Sequence, residues 1–408
     1  MTSKGFPFGI SVFLAVFFLA NSCSLRNTSK LMQAGFVKEE SFLETVSFER
    51  RIGLPVIQAE INGKKGWFLF DTGAPNVISS EFREEFQLET KLKNDITDSG
   101  GNVSKNMDYV CIEEIKIGDI TFQNTGAIVQ DMHTSDVFRC LDVDGIIGAN
   151  LMRQAFWNLD YKNQEIIFSD SLGALPLDSS YLEIGFVQMT QGTPKVNFVI
   201  NDVEAKNIVF DTGSNRGFLF PLSILKEMRG LHNLKESIEL GSTSYGIGGA
   251  SKADSIFHVR VDRISMGSMQ LPSSVISFDK HSNTFGTEVL EQFNIILDWE
   301  GNRIYLKPIS EFILNLETHG FGVNMSDGHF EVGSIFLDSD AKDKLIIGDR
   351  IVEVEEFDLE NSELEVICKL MVDEAFRLED RPRIKLTIDR QGVRKELELK
   401  RYELSKPK

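Results

Sequence analysis

Two tripeptides, Asp71-Thr72-Gly73 and Asp211-Thr212-Gly213, are the residues of this chain whose type and spacing point to chemistry. Each follows an apolar run, residues 67–70 and 208–210, and the two aspartates stand 140 residues apart. Two carboxyl groups held close together cannot both ionise, so one keeps a proton while the other accepts one. Such a pair makes a water basic and a carbonyl electrophilic, and hydrolyses an amide without metal or covalent nucleophile. Its titration belongs to the pair, not to either residue. Gly73 and Gly213 allow a tight backbone turn beside each carboxyl. The fourth residues differ, Ala74 in the first copy and Ser214 in the second. A hydroxyl beside Asp211 would favour its charged form, which makes Asp71 the expected proton holder.

Asp and Gly also form ordinary turns, which accounts for one copy but not for two in a repeated frame. Other chemistries find no motif. The six histidines are scattered without H-E-x-x-H, and neither G-x-S-x-G nor a phosphate-binding G-x-x-x-x-G-K-[ST] occurs. The four cysteines form no C-x-x-C pair, so neither a metal nor a cofactor is expected. A net charge of −18 argues against a nucleic-acid partner, which needs a surplus of Lys and Arg.

The elements around the aspartates repeat as well. Gly148 matches Gly286, and Asp160-Tyr161 matches Asp298-Trp299, each pair 138 residues apart. Between these anchors each half carries a Gly-rich stretch, at 99–102 and 246–249, and then a short strand pattern with a turn glycine, at 115–120 and 264–269. Four ordered landmarks at nearly constant offset indicate duplication. The runs are short, β-branched or aromatic, and bounded by Gly, Asn and Asp, so they read as strands. Short helices are expected at 81–86, at 222–228 and after each late glycine. The body is therefore expected to be mainly β, in two tandem lobes at 46–175 and 176–308.

From 309 to 408 the pattern changes. Five short strand patterns surround a helix starting at Leu364, with apolar residues at 364, 367, 371 and 375, and Arg390-Gln391-Gly392 is a turn. This predicts a third, separate α+β domain.

Over residues 50–308 the chain resembles the aspartic peptidases, and their retropepsin-like branch most closely. The resemblance rests on Asp71-Thr72-Gly73-Ala74, Asp211-Thr212-Gly213-Ser214 and Ile146-Ile147-Gly148; the second copy of the last element, Thr284-Phe285-Gly286, has one polar member. It implies two retropepsin-like β-barrel lobes, a catalytic Asp71/Asp211 dyad and a polypeptide substrate. Thr72 and Thr212 would bond across to the other loop and hold the carboxyls coplanar. The Gly-rich stretches would be flaps closing over the substrate, with Gly100, Gly101, Tyr245, Gly246 and Gly248 as candidates. One chain holding both halves would act as a monomer. Residues 318–402 resemble a bacterial PDZ domain, through Phe321-Gly322-Val323, Gly348-Asp349-Arg350-Ile351-Val352-Glu353-Val354, the helix from Leu364 and Asp389-Arg390-Gln391-Gly392. That implies a groove taking a C-terminal peptide as an added strand. Phe321, Gly322 and Val323 would hold the carboxylate with their N–H groups, and Leu364, Ile367 and Cys368 would line the last-residue pocket.

The N-terminus reads as a signal. Lys4 precedes an apolar run at 10–20, then Asn21, Ser22 and Cys23. It resembles a bacterial lipoprotein signal, which implies removal of residues 1–22 and a lipid on Cys23. Residues 23–45 would then be a linker tying the domains to a membrane of the cell envelope, on its periplasmic or outer-membrane side. In such a compartment Cys111 and Cys140 either pair or stay as inert thiols, and Cys368 is expected in a core. The expected function is an exported aspartic endopeptidase whose PDZ module recruits peptide or substrate. The alternative is a non-catalytic envelope protein that keeps the peptidase fold and binds peptides.

Overall fold

The computed structural model describes residues 26–97, 101–134, 136–242, 245–246, 249–250, 253–312, 317–372 and 381–404. The chain is mainly β. In the first half, Leu54–Ile61 and Lys64–Asp71 form an antiparallel hairpin. Asp71 ends the second strand, which pairs in parallel with Gly145–Gly148 in a register that sets Asp71 opposite Gly148. Val77–Ile78 closes the other side of Gly145–Gly148, antiparallel to it and parallel to Ile120–Val129. The second half repeats this order. Val203–Phe210 pairs in parallel with Thr284–Phe285. Phe218–Pro221 then runs antiparallel to Thr284–Phe285 and parallel to Ser274–Asp279. Each aspartate thus leaves the end of a strand held on both sides, which fixes its Cα before any side-chain contact is made. The polar Thr284 leaves the second copy's topology unchanged.

The lobes do not have separate cores. Leu182–Gly185, Arg303–Pro308, Phe293–Asp298, Phe156–Asp160, Glu165–Ser169 and Leu43–Arg51 form one antiparallel run of strands shared by both halves. The repeated Asp160-Tyr161 and Asp298-Trp299 anchors end the two central strands, which pair with Trp157 opposite Leu297 and Leu159 opposite Ile295. One apolar cluster runs from Phe68, Phe70 and Phe122 of the first half to Phe198, Phe210 and Phe285 of the second. Trp157 stacks on Phe168 with ring centroids 4.5 Å apart. Burying an aromatic side chain on both faces of such a sheet stabilises by roughly 2–3 kcal/mol each. The seam between the lobes is therefore core rather than hinge.

The expected helices are present as Ser80–Glu85, Ala149–Met152, Leu222–Leu231 and Thr287–Leu290. Ser79 caps the first, its Oγ accepting from Phe82 N at 3.3 Å. Residues 26–45 depart from the expected linker. A helical turn buries Met32 against the first lobe. Phe36–Val37 then pairs with Ile120–Val129, and the strand that opens the lobe starts at Leu43. Short-range charge pattern conceals this, because one apolar contact every few residues suffices to dock a segment whose partner strand is distant in sequence.

The C-terminal strands Phe321–Ser326, His329–Phe336, Arg350–Val354, Arg383–Arg390 and Val393–Lys400, with helix Leu364–Val372, enclose a second core that includes Val332, Ile351, Ile384, Ile388 and Leu399. The turn at Gln391-Gly392 takes φ of 56° and 82°, as a two-residue hairpin requires. Contrary to the expectation from the sequence pattern, the domain is not separate. His329–Phe336 pairs with Glu236–Gly241 of the second lobe, Gly241 opposite Ser334 and Glu239 opposite Phe336, so the two sheets are continuous. At that join Glu239 and His258 are both buried. The His258 ring bonds Glu239 Oε2 and Ser277 Oγ, each at 2.9 Å, and Ser334 Oγ donates to Glu239 Oε1.

Candidate active site

The two Asp-Thr-Gly loops meet at the seam. Thr72 and Thr212 are fully buried, and each does the same work for the other loop. Thr72 Oγ1 donates to Phe210 O at 2.6 Å and accepts from Thr212 N at 3.0 Å. Thr212 Oγ1 donates to Phe70 O at 2.7 Å and accepts from Thr72 N at 3.0 Å. Four cross-lobe bonds thus fix the loops against each other. Only a hydroxyl can both donate and accept at one atom, which is why threonine serves here.

Asp71 and Asp211 are each 8% exposed, and their carboxyls are within hydrogen-bonding reach of each other. Asp71 Oδ1 accepts from Gly73 N at 2.7 Å and Ala74 N at 3.1 Å, and Asp211 Oδ1 accepts from Gly213 N at 2.9 Å. The glycines are required by close approach rather than by dihedral angle. A Cβ on Gly73 would lie 2.6 Å from the Asp211 carboxyl carbon, and one on Gly213 would lie 2.2 Å from that of Asp71.

Burial pushes both carboxyls above the ordinary range. Asp211 rises further, because the Asp71 charge adds to its burial. On Asp71 the Gly73 and Ala74 N–H groups act against burial and favour the anion. Both carboxyls therefore favour a shared proton, and the titration belongs to the pair rather than to either residue. The Ser214 hydroxyl does not take the place expected for it beside the Asp211 carboxyl: it faces Thr284 Oγ1, 3.4 Å away, and only its backbone N–H bears on Asp211.

The dyad opens into a cavity of about 2090 Å³. Its walls include Tyr109, Tyr161, Arg216 and Glu288 of the lobes, and also Phe321, Gly322 and Val323 of the C-terminal domain. Two hairpins belong to the flap positions. Leu92–Thr97 and Val103–Ile117 form the first. Gly101 lies at its tip with φ +78°, where a Cβ would come within 3.0 Å of His281 of the other lobe. The second extends Glu236–Gly241 and Asp254–Val261, with Tyr245 opposite Ala250 and Gly246 opposite Gly249. The candidates Gly100 and Gly248, and Cys23, lie outside the described residues.

Of the groove candidates, Phe321, Gly322 and Val323 lie on one strand and Leu364, Ile367 and Cys368 on the facing helix. Cys368 is not a free groove or core side chain, because it forms a disulfide with Cys140. Cys111 is the free thiol among the described residues, so the Cys111–Cys140 pairing left open by the sequence does not occur. Pairing with Cys140 needs a helix 228 residues away to dock on the first lobe, which spacing in sequence does not reveal.

Supporting residues that sequence reasoning missed lie behind the loops. Asn76 Oδ1 accepts from Gly148 N at 2.7 Å and Asn150 Oδ1 accepts from Asn76 N at 2.6 Å, both side chains being buried. Thr193 Oγ1 donates to Gly73 O at 3.2 Å. Tyr161 is buried with its hydroxyl unpartnered by protein, and burial, then the Glu291 charge, oppose its ionisation. Its place in the repeated Asp160-Tyr161 anchor was the available signal. Among the described residues no group of His, Cys, Asp and Glu could hold a metal ion, and no helix is long and apolar enough to cross a membrane.

The aspartyl protease family model matches residues 57–151, from the hairpin that ends in the first Asp-Thr-Gly to the short helix after Gly148. Among solved structures, a retropepsin-like aspartic protease from Rickettsia conorii aligns at 19% identity, over 33% of this chain and 94% of that one, with a TM-score of 0.25. No curated protein matches the chain.

Proposed function

We propose that the chain is an aspartic endopeptidase in which Asp71 and Asp211 activate one water. The observation that carries this reading is the pair of buried carboxyls, each lying against the other loop's glycine and held by the Thr72 and Thr212 clamp. Asp71, as carboxylate, takes a proton from the water, and the oxygen attacks the scissile carbonyl carbon. Asp211, as acid, donates to the carbonyl oxygen, giving a neutral gem-diol. Return of the proton from Asp71 to the amide nitrogen, with Asp211 reclaiming its own, breaks the C–N bond and restores the starting dyad. The match of residues 57–151 to the aspartyl protease family supports the same chemistry. With both halves in one chain, a monomer suffices.

The apolar run before Cys23 supports export with a lipid on that cysteine, anchoring the protein in the cell envelope, and a disulfide between Cys140 and Cys368 suits an oxidising compartment. The C-terminal domain acts as a PDZ-type module. Its strand Phe321–Ser326 and helix Leu364–Val372 bound a groove whose strand side lines the same cavity as the dyad, which supports recruitment of a peptide towards the cut site.

The test is cleavage of an unfolded protein mixture across about pH 3 to 7, with Asp71→Asn and Asp211→Asn as controls. Each variant should lose about a thousandfold or more in rate. Cleavage that survives both substitutions would exclude the dyad, and a wild-type protein that binds peptides without cutting them at any pH would leave the peptide-binding alternative.

A further inference from the structure

Helix Asp136–Leu141 of the first lobe is built with two apolar faces that enter two different cores. Phe138 and Leu141 pack with Val56, Leu69 and Ile146 of their own lobe. Cys140 and Val137 pack instead with Met325, Ile335 and Ile367 of the C-terminal domain. The helix is fastened to its lobe by Arg51, whose Nη1 donates to Leu141 O at 2.6 Å and Asp142 O at 2.7 Å while the guanidinium lies 4.8 Å over the Trp67 ring. It is therefore a fixed projection and not a loose segment.

That projection lies against both walls of the groove between Phe321–Ser326 and Leu364–Val372. On the strand side, Cys140 Sγ is 3.7 Å from Met325 Sδ, and Asp136 Oδ2 accepts from Gly328 N at 2.9 Å. On the helix side, the disulfide joins Cys140 to Cys368 with Cα atoms 4.7 Å apart, and Ile52 N donates to Val372 O at 3.3 Å. The same domain grips the second lobe elsewhere, through the pairing of His329–Phe336 with Glu236–Gly241, the strand that leads into the hairpin at 245–250.

We propose that helix Asp136–Leu141 is the resident occupant of this groove and that Cys140–Cys368 is a redox lock on it. With the bond intact, the groove is closed to an incoming peptide, and the C-terminal domain ties the second lobe's flap strand to the first lobe. Reduction frees the domain to swing off the helix, which opens the groove and loosens the flap strand together. The reductant is a dithiol. Its thiolate attacks the half-buried Cys368 sulfur, breaks the S–S bond and expels the Cys140 thiolate, which takes up a proton. The second thiol of the reductant then attacks the mixed disulfide, releasing Cys368 as a thiol and leaving the reductant as its own disulfide. Two electrons and two protons pass to the protein. The peptide part of this proposal rests on the PDZ-type reading of the groove, whereas the lock itself does not.

The experiment uses the full chain in three forms: oxidised, treated with dithiothreitol, and as the Cys140→Ser/Cys368→Ser double variant. Hydrogen exchange by mass spectrometry reads residues 136–141 and 321–326, and anisotropy reads binding of a fluorescent peptide ending in an apolar residue with a free carboxylate. In the reduced and doubly substituted forms, exchange at 321–326 should quicken on the order of tenfold or more, with Lys64–Asp71 still protected, and the peptide should bind only there. If the double variant fails to keep Lys64–Asp71 protected, the reduced wild-type protein decides alone. Equal exchange in oxidised and reduced chains, peptide binding to the oxidised chain as tight as to the reduced one, or alkylation of Cys140 and Cys368 in the unreduced chain overturns the lock. Faster exchange without peptide binding upholds the lock and removes the PDZ-type reading of the groove.

Discussion

Replacing Thr72 by valine keeps the side-chain shape but removes one oxygen that serves two cross-lobe bonds. In the native chain that oxygen donates to Phe210 O at 2.6 Å and accepts from Thr212 N at 3.0 Å, at a site without solvent exposure. Valine leaves the Phe210 carbonyl and the Thr212 amide buried and unpaired. Each such group costs about 1–3 kcal/mol, so Thr72→Val should destabilise by about 2–6 kcal/mol. Thr72→Ser retains both bonds and loses only a methyl group, costing about 1 kcal/mol. Urea unfolding, followed through the tryptophan fluorescence to which Trp157 and Trp299 of the shared seam contribute, reads the difference as a shift in midpoint at constant slope. The same variants separate in turnover. Losing the clamp lets the two carboxyls drift from coplanarity, and a small misplacement of reacting groups costs about a hundredfold in rate. The reasoning fails if valine moves the midpoint no further than serine does, because the cross-lobe bonds would then contribute nothing measurable.

Two further outcomes follow from the buried carboxyls. Because burial and the Asp71 charge lift Asp211 above the ordinary carboxylate range, the native state keeps a proton that the unfolded chain has released, and stability falls as pH rises through that window. Asp211→Asn should therefore melt higher than wild type at about pH 7 and lose this advantage below about pH 3, where the aspartate is protonated in both states of the wild type; a variant that melts lower at neutral pH would contradict the upward shift. At the join to the C-terminal domain, burial pushes Glu239 up, but His258 and then Arg216 bring it below its ordinary value. Its contribution is present at neutral pH and lost as pH falls through the lowered value, so Glu239→Ala should cost about 3–5 kcal/mol near pH 7 and less in acid, read by denaturation at both pH values.

The Asp-Thr-Gly pattern was legible because it is local and doubled. Asp-Thr-Gly after an apolar strand, and a glycine and an Asp-aromatic pair at matching offsets, are all readable within a few residues of each other, and their repetition implied two halves that supply one carboxyl each. The role of Ser214 was not legible. Its hydroxyl faces Thr284, 70 residues on, rather than the carboxyl beside it in sequence. The buttressing by Asn76, Asn150 and Thr193 was hidden for a similar reason, since a polar residue in a loop has the same local signature whether it faces water or a buried backbone group.

The sequence by itself determined the strand-rich character, the duplication, the two carboxyls and the change of pattern after residue 308, because side-chain alternation, turn chemistry and repeated motifs act over short stretches of chain. Only the tertiary structure decided that the halves share one core through paired anchor strands, that residues 26–45 belong to the first lobe, and that the last domain is joined to the second lobe's sheet and cross-linked to the first lobe through Cys140. These are contacts between distant segments, the Cys140–Cys368 link alone spanning 228 residues. Their energy comes from surfaces that become complementary only once each element has folded, so no local pattern encodes them.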